Sequence, residues 1–242
     1  MIKVENINKS FNDVKVLKDV SFEINRGDFV AVMGPSGSGK STLLYSISGM
    51  DKLSSGRVLF EGINLSEMKE EELSKFRLNK MGFVFQNAQM LKNLSVFDNI
   101  TLPGLVANKE SADVIRKRAS GLMKRMEIDG IENRDNREVS GGQLQRASIC
   151  RAMINNPEIL FLDEPTGALN SGATDQVLAI LTDLNLEGMT IMTVTHDQRV
   201  AAKARKIIYI IDGQIASCKE FSANEDRKKG LDEWLNGLQI KA

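Results

Sequence analysis

The chain has 242 residues, 42% hydrophobic and 26% charged, an ordinary globular composition that excludes a disordered, collagenous or disulfide-scaffold protein. Its 32 Lys and Arg balance 32 Asp and Glu, so no net field draws nucleic acid or an anionic membrane to it, and any anion site must be local. Cys150 and Cys218 stand in no CxxC or Cys/His spacing and a single histidine cannot complete a zinc set, so both thiols are expected to be buried or inert.

The opening MIKVENINKSF carries charges where a signal peptide needs an apolar run, and no window approaches the roughly 18 apolar residues of a membrane span. A cytosolic chain without direct membrane insertion is expected. Short β-type runs alternate with helical stretches, the pattern of an α/β protein with a mainly parallel sheet. The early part reads as antiparallel instead: Val20, Phe22 and Ile24, then Val58 and Phe60, alternate as half-buried strands, with turns at Asn25-Arg26-Gly27 and Ser54-Ser55-Gly56. Nearly all-apolar runs at 29–33, 159–162 and 191–194 predict strands covered on both faces. The charge run from Lys69 to Arg77 predicts a solvated helix face.

From about Val96 to Arg151 the β signal fades, and Val114, Ile115, Ala119, Leu122, Met123 and Met126 recur near helical spacing, which predicts a helical subdomain. Residues 207–215 read as a hairpin turning at Asp212-Gly213. The tail places Leu231, Trp234, Leu235 and Leu238 on one helical face, expected to pack on the body.

Gly34-Pro35-Ser36-Gly37-Ser38-Gly39-Lys40-Ser41 fits G-x-x-x-x-G-K-[ST] between an apolar run and a helix-like segment containing Leu43, Leu44 and Ile47. Glycines let backbone N–H groups curl around phosphate oxygens, and the helix that follows adds the positive end of its dipole. Lys40 would reach the β- and γ-phosphates, and the Ser41 hydroxyl would ligate magnesium. The pattern arises by accident in roughly one chain of this length in a hundred, so a plain glycine-rich turn is the alternative.

Asp163 and Glu164 close a buried strand, where parallel α/β sheets hold ligands. Asp163 suits the magnesium shell and Glu164 an attacking water; the alternative is a cap for the next helix. His196 ends the apolar run 191–194, with a γ-phosphate contact or orientation of that water as its functional reading and a structural role as the alternative.

Ser140-Gly141-Gly142-Gln143, within VSGGQLQR, lies between the two nucleotide motifs and resembles the signature of ATP-binding-cassette (ABC) ATPases. The resemblance spans roughly residues 2 to 220. It implies a P-loop NTPase fold with a RecA-like core, an antiparallel β-subdomain and an inserted helical subdomain. One domain over 1–242 would then divide into a core at 1–86 and 152–220, a signature subdomain at 87–151 and a tail at 221–242. It further implies ATP and Mg2+ as ligands, and a head-to-tail homodimer in which one subunit's signature closes over ATP held by the other's phosphate loop. Phe11 matches the aromatic that stacks on adenine, a contact worth about 1 to 3 kcal/mol by analogy with bases on aromatic side chains. Thr42 falls in the same nucleotide site, Gln86 matches the glutamine that senses magnesium and γ-phosphate, and His196 matches the switch histidine. Phe11 stands where Tyr is more frequent, Val139 where Leu is usual, and Asn170 where most members carry Asp.

Pro165-Thr166-Gly167-Ala168-Leu169-Asn170-Ser171 resembles the branch of lipoprotein-release, macrolide-export and cell-division ATPases, and most of all bacitracin-type modules that detect or remove antimicrobial peptides. The resemblance implies a motor subunit on the inner face of the cell membrane, attached through a permease with an extracytoplasmic domain. A soluble ABC protein of repair or translation, and a nucleotide-dependent signalling scaffold, are the competing readings.

Overall fold

A computed structural model of the chain describes residues 1–222 and 225–239. In chain order the strands are β1 (Ile2–Phe11), β2 (Val14–Ile24), β3 (Phe29–Met33), β4 (Ser55–Phe60), β5 (Ile63–Asn64), β6 (Met81–Phe85), β7 (Ile159–Asp163), β8 (Thr190–Val194), β9 (Lys206–Ile211) and β10 (Gln214–Glu220). The helices are α1 (Lys40–Ile47), α2 (Glu70–Lys80), α3 (Val96–Ala107), α4 (Ala112–Arg125), α5 (Gly141–Met153), α6 (Ser171–Leu186), α7 (Gln198–Ala201) and α8 (Arg227–Gln239). Two compact units divide them, one formed by Met1–Met68 with Asn185–Ala242 and the other by Lys69–Leu184.

In the first unit β2, β1, β4 and β5 form an antiparallel sheet in that order. The alternation expected of Val20 and Ile24 holds, both burying their side chains. The expected turn at 54–56 does not form as such. Ser55 and Gly56 begin β4, at a break in its register with β1, and Gly56 passes so close to Asn6 that an added Cβ would lie 2.4 Å from the Asn6 carbonyl oxygen. A separate layer runs β10-β9-β3-β8, with β3 parallel to both β8 and β9. Every residue of β3 and β8 is buried, which is why both read as unbroken apolar runs. Helix α8 buries Leu231 and Leu235 and sets Trp234 edge-on to Tyr209 at 6.2 Å. Positions 223–224 and 240–242 of the expected tail lie outside the described residues.

In the second unit β6 and β7 pair in parallel, with Phe83 stacked on Phe161 at 5.6 Å. Helix α4 starts where Ser111 caps it and buries Ile115, Ala119 and Met123, one side chain per turn. Val114, expected on that face, is 45% exposed because one residue's rotation carries it off the stripe. Leu73 alone of α2 is buried, as a solvated face requires. Cys150 is buried in α5, where loss of solvation pushes its thiol up to about 12, while Cys218 is exposed on β10 rather than buried. No helix among the described residues is long and apolar enough to cross a membrane.

Candidate functional site

Within the first unit, β3 delivers the chain to Gly34 so close to β9 that an added Cβ would lie 2.1 Å from the Ile210 carbonyl oxygen. Only glycine fits there, and Gly39, at φ 97° directly before α1, sits 3.1 Å from Leu17 by the same construction. Lys40 folds back over the loop, donating from Nζ to the carbonyls of Gly34 (2.9 Å) and Pro35 (2.8 Å). Pro35, Ser36 and Gly37 are exposed, whereas the Ser38 hydroxyl is buried without a hydrogen-bond partner among the described residues. A buried orphan hydroxyl beside a poised ammonium suits an anionic oxygen better than an apolar filling. Ser41 and Thr42 lie half-buried in the first turn of α1, over Leu43, Leu44 and Ile47 in the core.

The turn at Asp212-Gly213 braces this loop, a role its sequence did not announce. Gly213 donates its N–H to Ser38 O at 3.1 Å and accepts from Lys18 N at 2.9 Å, and an added Cβ there would fall 2.0 Å from Val16 O. The β1–β2 hairpin that carries Phe11 is thereby fixed against the phosphate loop. Phe11 ends β1 opposite Val14 and is 46% exposed. His196 follows β8, whose Val194 is in register with Val32 of β3, and Thr195 N donates to Val32 O at 3.0 Å. The loop and the exposed His196 therefore leave adjacent strands at the same level. Asp197 donates its N–H to Thr195 Oγ1 and accepts from Arg199. Burial pulls the Asp197 carboxyl upward, but those Arg199 hydrogen bonds outweigh it and hold the group below its ordinary range.

Within the second unit, Phe85 of β6 is in register with Asp163 of β7, so Gln86 and Glu164 leave neighbouring strand ends together. Asp163 and Glu164 are half-buried, and Glu164 has φ 49°, a left-handed conformation uncommon for a residue with a side chain. The Gln86 side chain lies against Gly167, where a Cβ would meet its Nε2 at 2.8 Å. Ser140 and Gln143 form a capping box: Gln143 N donates to Ser140 Oγ (3.3 Å) and Ser140 N to Gln143 Oε1 (3.0 Å). Gly141 is exposed and open, but Gly142 is buried with its hypothetical Cβ 2.8 Å from Ala173 Cβ, so the two glycines serve different ends. They line a cleft of about 550 Å3 with Ser140, Gln143, Leu169 and Asn170. Asn170 Oδ1 accepts from Ala173 N at 2.9 Å, which caps α6 without a charge.

Sequence reasoning also missed how α5 grips the segment around Gln86. Buried Gln145 donates to Phe85 O at 3.1 Å, and Arg151 donates to Ala88 O at 2.6 Å and Gln89 O at 2.8 Å.

The ABC transporter family pattern matches residues 17–167, more than half of the chain. The chain is 40% identical to the ABC transporter ATP-binding protein YxdL of Bacillus subtilis, over 99% of this chain and 94% of that one. It is 44% identical to the macrolide export ATP-binding/permease protein MacB of Mannheimia succiniciproducens over 89% of this chain, and it spans about a third (34%) of that relative's length. Among solved structures, a dimeric post-hydrolysis state of the ATP-binding cassette MJ0796 bound to ADP and Pi superposes with a TM-score of 0.85 at 37% identity, covering 92% of this chain and 100% of that one. The ABC ATPase fold expected from the motifs is thus the fold the chain adopts, and the protein belongs to the ABC transporter family as an ATP-binding cassette.

Proposed function

We propose that the chain is the ATP-hydrolysing motor of an ABC transporter, working as a homodimer whose ATP-driven closure moves a membrane permease. The observation that carries this reading is the phosphate loop: an ammonium poised over its carbonyls, a buried unpartnered Ser38 hydroxyl and the start of α1. Phe11 stacks on adenine, residues Gly34 to Thr42 cradle the phosphates, and Lys40 neutralises the β- and γ-phosphates in place of its two carbonyl partners. Ser140, Gly141, Gly142 and Gln143 receive the γ-phosphate of ATP held by a second copy, through the N-terminus of α5.

The hard oxygen donors of Ser41, Gln86 and Asp163 suit magnesium, and these three residues would hold it. When bound, magnesium neutralises charge developing on the phosphates. Glu164 takes a proton from the attacking water, and His196 orients that water or the γ-phosphate. Glu164 follows Asp163 directly at the end of β7, with a left-handed backbone at φ 49°, and in this reading the two adjacent carboxylates take separate roles. Within the same reading the chain divides into a core at 1–86 and 152–220, a signature subdomain at 87–151 and a tail.

MacB's name, macrolide export ATP-binding/permease protein, supports export and a permease partner; antimicrobial-peptide resistance or sensing is the purpose we propose, with a permease bearing an extracytoplasmic domain. The motor would then sit at the inner face of the cell membrane. In the test, Glu164→Gln slows ATP hydrolysis by at least about 10²-fold while ATP still binds. Turnover like the wild type would overturn the role of Glu164. Copurification of the tagged Glu164→Gln chain with a permease from native membranes, in ATP and magnesium, tests the coupling; recovery without any permease from a preparation whose permeases are intact overturns it.

A further inference from the structure

Lys9 of β1 is 9% exposed, an unusual degree of burial for a lysine with no carboxylate at its amine among the described residues. Its Nζ donates to Lys52 O at 2.7 Å and stands 4.5 Å from the centroid of the Phe11 ring, well inside the range of a cation–π contact. The surroundings fix it there. Lys9 pairs with Leu17 of β2, Ser10 N donates to Ser54 Oγ at 2.9 Å, and Ser54 N donates to Asn8 O at 2.9 Å, so β1 is stitched to the 52–54 segment on both sides of Lys9. Phe11 keeps nearly half of its surface open, with Lys9 against one face of its ring.

An exposed phenylalanine at a strand end rotates unless something holds it, and a rotating ring gives up that freedom, at an entropic cost, whenever a base stacks on it. We infer that Lys9 is a positioning residue for nucleotide binding. Its ammonium pins one face of Phe11, so that the other face receives the base in a cation, ring, base sandwich. The charge also draws the ring's π-electrons toward itself. The open face is left electron-poor, which favours an electron-rich purine over weaker stackers. This inference rests on the adenine-stacking reading of Phe11.

Isothermal titration with ADP and, separately, with inorganic tripolyphosphate tests it on the full chain. Lys9→Met should weaken ADP binding about three- to ten-fold, the size of a partly desolvated cation–π contact. Tripolyphosphate, which has no base, should bind Lys9→Met as it binds the wild type. In a Phe11→Ala background the further change Lys9→Met should alter ADP affinity less than about two-fold, because the contact is already gone. Lys9→Gln keeps a donor for the Lys52 carbonyl while removing the charge, and it should show the same loss of ADP affinity if Lys9→Met does not fold.

ADP affinity unchanged in both Lys9 variants overturns the inference, as does an equal loss of tripolyphosphate binding or an undiminished effect beside Phe11→Ala. Phe11→Ala alone separates the two layers. If it leaves ADP binding unchanged the adenine reading fails with the inference, whereas a loss on Phe11→Ala with none on the Lys9 variants leaves that reading standing and removes only Lys9.

Discussion

Two adjacent glycines in the signature carry different physical loads, and single substitutions separate them. A Cβ on Gly142 would lie 2.8 Å from Ala173 Cβ, which is fixed by the α6 backbone, so Gly142→Ala forces two helices apart. Overpacking of this kind costs about 1 to 3 kcal/mol, and a lowered thermal midpoint without nucleotide is expected. At Gly141 the nearest atom is Leu169 Cδ2 at 3.8 Å, ordinary contact, so Gly141→Ala leaves the fold as stable as before or raises it by up to about 1 kcal/mol through helix propensity. Its methyl group enters the cleft, however, and ATP-dependent association should fall. Thermal melts with and without ATP check both outcomes; a stable Gly142→Ala would contradict the packing role. Both glycines were visible in the sequence as one anion cradle. Their division was not, because it depends on Ala173, 31 positions after Gly142 and brought there only by the fold.

Helix α5 is a single rigid body with the capping box of Ser140 at one end and Arg151 near the other. Between them it holds the carbonyls of Phe85, Ala88 and Gln89, so the strand end that carries Gln86 moves when the helix moves. Arg151 is half-buried, loss of solvation lowers its pKa, and its guanidinium spends its donors on backbone carbonyls. Arg151→Met should cost about 2 kcal/mol, the range for hydrogen bonds to a charged donor, and should raise amide hydrogen exchange across 86–91 while leaving β3 protected. Uniform exchange along the chain would point to general destabilisation instead. Elements of this kind mark the limit of sequence reading. The apolar runs of β3, β7 and β8 are fixed by composition alone, and the Asp212-Gly213 hairpin by turn chemistry, with φ 48° and 79°. The brace from that turn onto Ser38, the grip of α5 and the irregular start of β4 at Gly56 arise from tertiary contact, and no local pattern encodes them.

At the scale of the whole molecule, charge balance decides what kind of association is possible. With 32 cationic against 32 anionic side chains, two copies meet without strong net attraction or repulsion, and contact must come from something added between them. Each chain offers an ammonium-bearing phosphate loop and, at Ser140, a helix N-terminus that lines a cleft, and an ATP polyanion can satisfy one of each. ATP is therefore expected to act as the adhesive, and hydrolysis as its removal. Glu164→Gln, which retains ATP, should elute with magnesium and ATP at twice the 26.8 kDa monomer mass and return to monomer with ADP. Ser140→Arg on the same background fills the cleft and should stay monomeric while ATP still binds through the phosphate loop. Raising salt from about 0.05 to 0.5 M should weaken the dimer only modestly, since charges in a closed interface are screened less than exposed ones. Light scattering of the two variants decides the point: a dimer that forms without nucleotide, or one that survives Ser140→Arg, would mean that the copies adhere through another surface and that ATP is not what joins them.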